Sequence, residues 1–153
     1  LLADLSETDW RRKTPNPKWT VGDLLHHLVW SLEVLPREVA SARRGQGMYN
    51  FPPFLGGPLS TLVIRLGARN QSLRTIARRY EAAYSAVLSA LDAVRDDEWQ
   101  RGAPFWGEGF FNIAGLFRAQ AHHFAEHSQD IRAALPRDAA ATVLPGRSQQ
   151  GNA

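Results

Sequence analysis

The chain contains no cysteine. That absence removes disulfides, thiolate zinc sites and cysteine nucleophiles together, and leaves histidine and carboxylate as the plausible metal-binding side chains. No apolar run reaches the roughly 18 residues that span a bilayer, and the opening Leu1-Leu2-Ala3-Asp4 lacks the pattern of a signal peptide. A soluble, cytoplasmic protein without a membrane partner is therefore expected. Lysine is scarce, so the formal net charge of +3 rests on arginine. Arg65, Arg69, Arg74, Arg78 and Arg79 gather on and before one predicted helix. No aromatic-basic interleaving, zinc finger or recognition helix accompanies them, so they read as a solvated helix face, and no nucleic-acid partner is expected.

With 153 residues and 44% hydrophobic content, the chain can build one domain with a real core and is too short for two. The reading is all-α. Leu1 to Leu5 looks like the last turn of a helix, and Ser6-Glu7-Thr8-Asp9 has capping-box spacing before Trp10. After the proline-punctuated loop Thr14-Pro15-Asn16-Pro17-Lys18 comes a stronger helix start. Thr20 is the N-cap, Asp23 holds the capping-box position, and Trp19 is placed to staple onto Leu24. Apolar residues from Leu24 to Val39 then recur every three or four positions, and Pro36 is expected to bend this helix rather than end it. Gly45 to Pro58 reads as an apolar loop lying on the bundle, followed by a short helical piece, Leu59 to Leu66. Leu73, Ile76, Ala77, Tyr80, Tyr84, Val87, Leu88, Leu91 and Val94 give the cleanest helical period. A second loop, Asp96 to Phe111, leads to a last helix capped by Asn112 and running to about Leu135, before Pro136. The helical domain thus spans residues 1–136, and 137–153 is small and polar enough to be a mobile tail.

The two halves echo each other. At a constant offset of 89, Leu2, Leu5, Asp9, Trp10, Arg12 and Pro15 align with Leu91, Val94, Glu98, Trp99, Arg101 and Pro104. After a three-residue insertion, Trp19-Thr20 aligns with Phe111-Asn112. Two related helical hairpins are expected. The partner of the helix over Leu73 to Val94 would then lie before Leu5, with nearly all of it missing.

All five histidines fall in two clusters, His26-His27 and the stretch His122-His123-Phe124-Ala125-Glu126-His127. On a helix, His123 and His127 stand one turn apart on one face, with Cβ atoms about 5–6 Å apart, which lets both imidazoles reach one ion. At about 100° per residue, His127 lies near the apolar direction of the helix, His123 on its flank and His122 nearly opposite. His26 and His27 both sit at margins of their helix's apolar face, so periodicity leaves both open. The same letters spell H-x-x-E-H, an inverted zincin pattern in which Glu126 would be the general base. Only Asp130 and Asp138 are acidic after His127, so the further carboxylate ligand of that site is absent.

Trp19-Thr20-Val21-Gly22-Asp23-Leu24-Leu25-His26-His27-Leu28 resembles the start of the second helix in the DinB-like (DinB/YfiT-like) superfamily of metal-binding four-helix bundles. His123-Phe124-Ala125-Glu126-His127-Ser128-Gln129-Asp130-Ile131 is similar to that family's last-helix motif, H-x-x-x-H followed by an acid or amide and Ile. The resemblance covers Leu2 to Leu135 and departs at the front, where the first helix is nearly absent. It implies a four-helix bundle built from two hairpins, with His27, His123 and His127 holding a divalent ion such as zinc or nickel. It further implies an enzyme that activates a low-molecular-weight thiol, or water, for transfer to or hydrolysis of a small electrophile, as in the bacillithiol- and mycothiol-dependent relatives. The rival is a non-catalytic, metal-stapled binding or stress-associated protein. Glu126 and Asp130 are candidate bases or supports for the ligands. Trp30, Tyr49, Phe51 and Trp106 are candidates to line a substrate pocket. A small-molecule substrate is the expected partner, and a homodimer is compatible with this reading.

Overall fold

The computed structural model describes residues 2–136; the expected tail, 137–153, lies outside them. Everything packs around one helix. Its first turn is fixed by Thr20, whose hydroxyl accepts the Asp23 N–H at 3.2 Å while the Asp23 carboxylate accepts the Thr20 N–H at 2.9 Å. This capping box satisfies two of the N–H groups that a helix start leaves open. From it α1 runs Val21–Arg43, continuous through Pro36. The helices α2 (Pro53–Ala68), α3 (Leu73–Asp92) and α4 (Ile113–Ala134) all pack against α1.

Two buried clusters divide the core along α1. Near its start, Trp19, Val21, Leu24, Leu25, Leu28 and Val29 meet Ile76 of α3 and Ile131 of α4. Near its end, Leu35, Val39 and Ala42 meet Ala103, Phe105, Ile113 and Leu116. Each fully buried aliphatic side chain contributes about 1.5–3 kcal/mol relative to an exposed one, so α1, which feeds both clusters, is the element the fold depends on most.

Two segments differ from the sequence reading. The stretch taken as loop up to Pro58 is helical from Pro53, with proline at the first helical turn and Pro58 inside the helix. Proline at a helix start gives up only an N–H that has no partner there, and Pro58 forgoes one further bond. Within that stretch Phe51 and Phe54 are exposed and do not lie on the bundle, whereas Met48 packs on the second cluster. The loop over Asp96 to Phe111 contains an antiparallel hairpin, β1 (Gly102–Phe105) and β2 (Gly109–Asn112), with Ala103 opposite Phe111 and Pro104 opposite Phe110. Its turn uses left-handed residues, Trp106 at φ +58 and Gly107 at φ +75. The chain before α1 holds two short 3-10 turns, Leu2–Asp4 and Asp9–Arg11.

The internal echo is written in hydrogen bonds. Asp9 N–H donates to Ser6 O at 3.0 Å, as Glu98 N–H does to Arg95 O at 2.9 Å. Arg12 N–H reaches Asp9 O and Arg101 N–H reaches Glu98 O, at 2.9 and 2.8 Å. Val21 N–H closes onto Arg12 O, and Ile113 N–H onto Arg101 O, both at 2.9 Å. Both acids are buried, and each carboxylate accepts the backbone N–H three residues before it. The Ser6 hydroxyl and N–H, with Arg12, hold the Asp9 carboxyl down at about 2. The aligned caps Thr20 and Asn112 each open a long helix.

Of the α3 stripe, Ile76 is buried, as is Ala83 beside it, while Tyr84, Leu88 and Leu91 are exposed. An apolar cleft of about 300 Å³ separates α3 from α4, lined by Leu28, Ile76, Tyr80, Phe124 and Ser128 among others. Arg79, expected on a solvated face, is instead half-buried. It holds Glu33 with two bonds of 2.7 and 2.8 Å and sits 3.0 Å from His26 Nδ1. Among the described residues no helix is long and apolar enough to cross a membrane.

Candidate metal centre

The capped start of α1 sets the rotation at which His26 and His27 leave the helix. Their side chains diverge by about 100° and end in different surroundings. His26 is buried against α2 and α3, where Arg79 approaches Nδ1 and the ring fills the space that Gly67 leaves open: a Cβ on Gly67 would lie 2.2 Å from His26 Nε2. His27 turns towards α4 and meets His123 and His127. The facing pairs His27 with His123 and Ser31 with Gln120 show that α1 and α4 run in opposite directions along this seam.

One ligand atom from each of His27, His123 and His127 lies within 4.8 Å of the other two. The Nε2 atoms of His27 and His123 are 2.8 Å apart. The three ring centroids are 4.6, 4.7 and 5.3 Å apart, all near edge-to-face. Imidazole nitrogens sharing one tetrahedral ion at 2.0–2.1 Å stand about 3.3 Å apart, so binding calls for the His27–His123 pair to open slightly and for separations approaching 4.8 Å to close. Trp19 closes one flank, with its ring 4.8 Å from His27 and 5.6 Å from His127.

The electrostatics favour neutral rings at His27 and His123. Burial, reinforced by the neighbouring imidazoles His123, His127 and His26, pushes His27 down to about 3. Burial and then His127 lower His123 to about 4. Neutral imidazole is the form that binds a metal, so both rings are ready ligands at neutral pH. His127 donates from Nδ1 to the Asp130 carboxylate at 3.2 Å, which leaves Nε2 as its lone-pair nitrogen. Among the described residues His27 Nδ1 is buried without a hydrogen-bond partner, and the ring's polar contact is at Nε2, on the side of the other histidines. The donor set is all nitrogen, which suits zinc, nickel and similar borderline ions.

The remaining candidates separate clearly. Asp130 joins the cluster through His127. Glu126 is exposed and pairs at 3.4 Å with exposed His122, outside the cluster on the solvent side of α4. Trp30 and Tyr49 come together with ring centroids 6.4 Å apart, Tyr49 in a left-handed conformation at φ +56. Trp106 turns instead to Glu38, donating from Nε1 to its carboxylate at 2.6 Å. Glu38 is buried, and burial raises its carboxyl despite that bond. Sequence motifs single out neither Glu38 nor Trp19 as a site residue, Trp19 entering only as a staple and in the helix-start motif. A usable signal existed for Glu38: eleven residues after His27, it falls within about 20° of the same direction on α1.

Residues 1–132 match the family model described as the mycothiol maleylpyruvate isomerase N-terminal domain. No match was found among curated proteins or among solved structures. The helical architecture with two equivalent hairpin junctions and the convergence of three histidines fit that match, and the chain belongs to this family of DinB-like four-helix bundles, related to mycothiol-dependent enzymes.

Proposed function

We propose that His27, His123 and His127 hold a divalent ion, zinc or nickel, and that the chain is a metal-dependent enzyme joining a low-molecular-weight thiol to a small electrophile. The observation that supports this is the meeting of three imidazoles from α1 and α4, with His27 and His123 kept neutral by burial. Bound there, such an ion lowers the pKa of a coordinated thiol or water and so supplies a nucleophile at neutral pH. The family's description names a thiol, mycothiol, with an isomerase of maleylpyruvate, which favours thiol chemistry over hydrolysis. Asp130 fixes the tautomer and orientation of His127, and Trp19 keeps water from one side of the cluster. Trp30 and Tyr49 offer an aromatic wall for the organic part of a substrate.

A second reading has its own support. The three histidines tie α1 to α4, so an ion there could serve as a staple with no catalytic role. Elemental analysis, thermal melts and assays with thiol conjugates on the same variants separate the two. For the enzyme, His27→Ala and His127→Ala empty the site and abolish activity while each variant still melts close to the metal-free parent chain, and His26→Ala keeps its metal. Unfolding that accompanies metal loss supports the staple. Metal retained in His27→Ala but lost in His26→Ala would overturn the ligand assignment.

A further inference from the structure

A second cavity stands apart from the histidines. It is an open cleft of about 570 Å³ between the segment before α1 and the C-terminal end of α2, and has none of His27, His123 and His127 in its lining. That volume is in the range of small-molecule sites. Four cationic side chains line it: Arg11 and Lys13 from one wall, Arg65 and Arg69 from the other.

Its charge is unbalanced. The two carboxylates on the wall are Asp23 and Glu7. Asp23 is engaged by the Thr20 N–H and hydroxyl at 2.9 and 2.8 Å, and Glu7 by the Leu73 N–H at 3.2 Å. Arg65 donates to the Lys18 carbonyl, a neutral acceptor that holds its guanidinium in place. Among the described residues Arg11, Lys13 and Arg69 have no acidic partner. A sphere of this volume is about 10 Å across, close to the Debye length of about 8 Å at physiological salt, so the like charges act on one another and on any ion between them. Trp10 supplies a different surface. Its indole presses on Gly22, where a Cβ would come within 2.3 Å of the ring, and it also forms part of the cavity wall.

We propose that this cavity binds a small oxyanion-bearing molecule, a carboxylate or a phosphate monoester, with the anionic group among Lys13, Arg11 and Arg69 and its planar or apolar remainder against Trp10. The site is independent of the metal-centre reading. Isothermal titration of the full chain with inorganic phosphate and with benzoate, at low salt, tests it. Saturable binding of one ion per chain is expected. Lys13→Gln and Arg69→Gln should each weaken binding about tenfold, as loss of a charge-assisted hydrogen bond does. Arg74→Gln, outside the cavity, should leave it unchanged, and circular dichroism melts of each variant check that the fold survives. Benzoate bound more tightly than phosphate, with the difference removed in Trp10→Leu, identifies an organic carboxylate as the ligand class; the reverse order identifies a phosphate. Binding must also persist in His123→Ala. Failure of both anions to saturate the chain, equal weakening by Arg74→Gln, or loss of binding in His123→Ala would each overturn the proposal.

Discussion

Burial holds His27 and His123 at about 3 and 4, well below the ordinary 6.5. Between pH 6.5 and those values the unfolded chain takes up protons that the folded chain excludes, so stability falls as the pH is lowered. Each ring can contribute up to about 1.4 kcal/mol per pH unit, and buried His26, also lowered, acts in the same direction. Urea melts of metal-free protein between pH 6.5 and 5, above most carboxylate titration, should show this slope, and His123→Gln should reduce it. A flat profile would mean that the rings are wet. Asp130 makes a separate prediction. Because it orients His127 through Nδ1, Asp130→Asn should weaken metal binding by about 10–100-fold, measured by competition with a chelating dye, with little change in melting. The sequence carried the pair His123 and His127, since a spacing of four fixes both on one helical face. It could not choose between His26 and His27 from periodicity, because both flank the apolar stripe. Arg79 and the gap at Gly67, which decide where His26 goes, come from two other helices.

At the level of elements, the two hairpin junctions use the same device, a buried acid, a returning arginine N–H and a polar cap. Thr20→Ala and Asn112→Ala should therefore each destabilise the chain by about 1 kcal/mol in chemical denaturation, the usual worth of an N-cap. Gly22→Ala sets two effects against each other. Alanine gains about 1 kcal/mol of helix propensity over glycine, but its methyl would meet the Trp10 indole. Overpacking of that kind costs about 1–3 kcal/mol, so net destabilisation is expected, and restoration in Gly22→Ala/Trp10→Leu would identify the clash as the cause. Caps and periodicity made α1, α3 and α4 legible. The N-terminal half of α2 was not, because Gly56, Gly57 and Pro58 speak against a helix locally, the glycines through backbone freedom and the proline through its missing N–H. The hairpin was hidden for a related reason. Four-residue strands are too short for alternation to register, and Trp106 occupies a left-handed position that sequence normally reserves for glycine.

The molecule as a whole is a hub around α1, and its histidine cluster joins α1 to α4 next to the core at the start of α1. The two-hairpin plan could be read from the offset of 89 because a capping chemistry, unlike a packing contact, is local in sequence. The exposure of Tyr84, Leu88 and Leu91 could not, since a clean apolar period says which face seeks burial and not whether a partner covers it. This geometry gives a global prediction for metal addition. A ligand that binds only the folded state stabilises it by about 2.7 kcal/mol at a free concentration 100 times Kd. For a chain of this size each kcal/mol moves Tm by about 2–4 °C, so zinc or nickel at that excess should raise Tm by roughly 5–10 °C, and a chelator should reverse the shift. His123→Ala should abolish the shift, because the remaining pair, His27 and His127, loses the ring that stands closest to both. His122→Ala should retain it, because that ring lies on the exposed side of α4 with Glu126. A shift of equal size in His123→Ala would place the stabilising ion elsewhere and remove the histidine cluster from the account of metal binding.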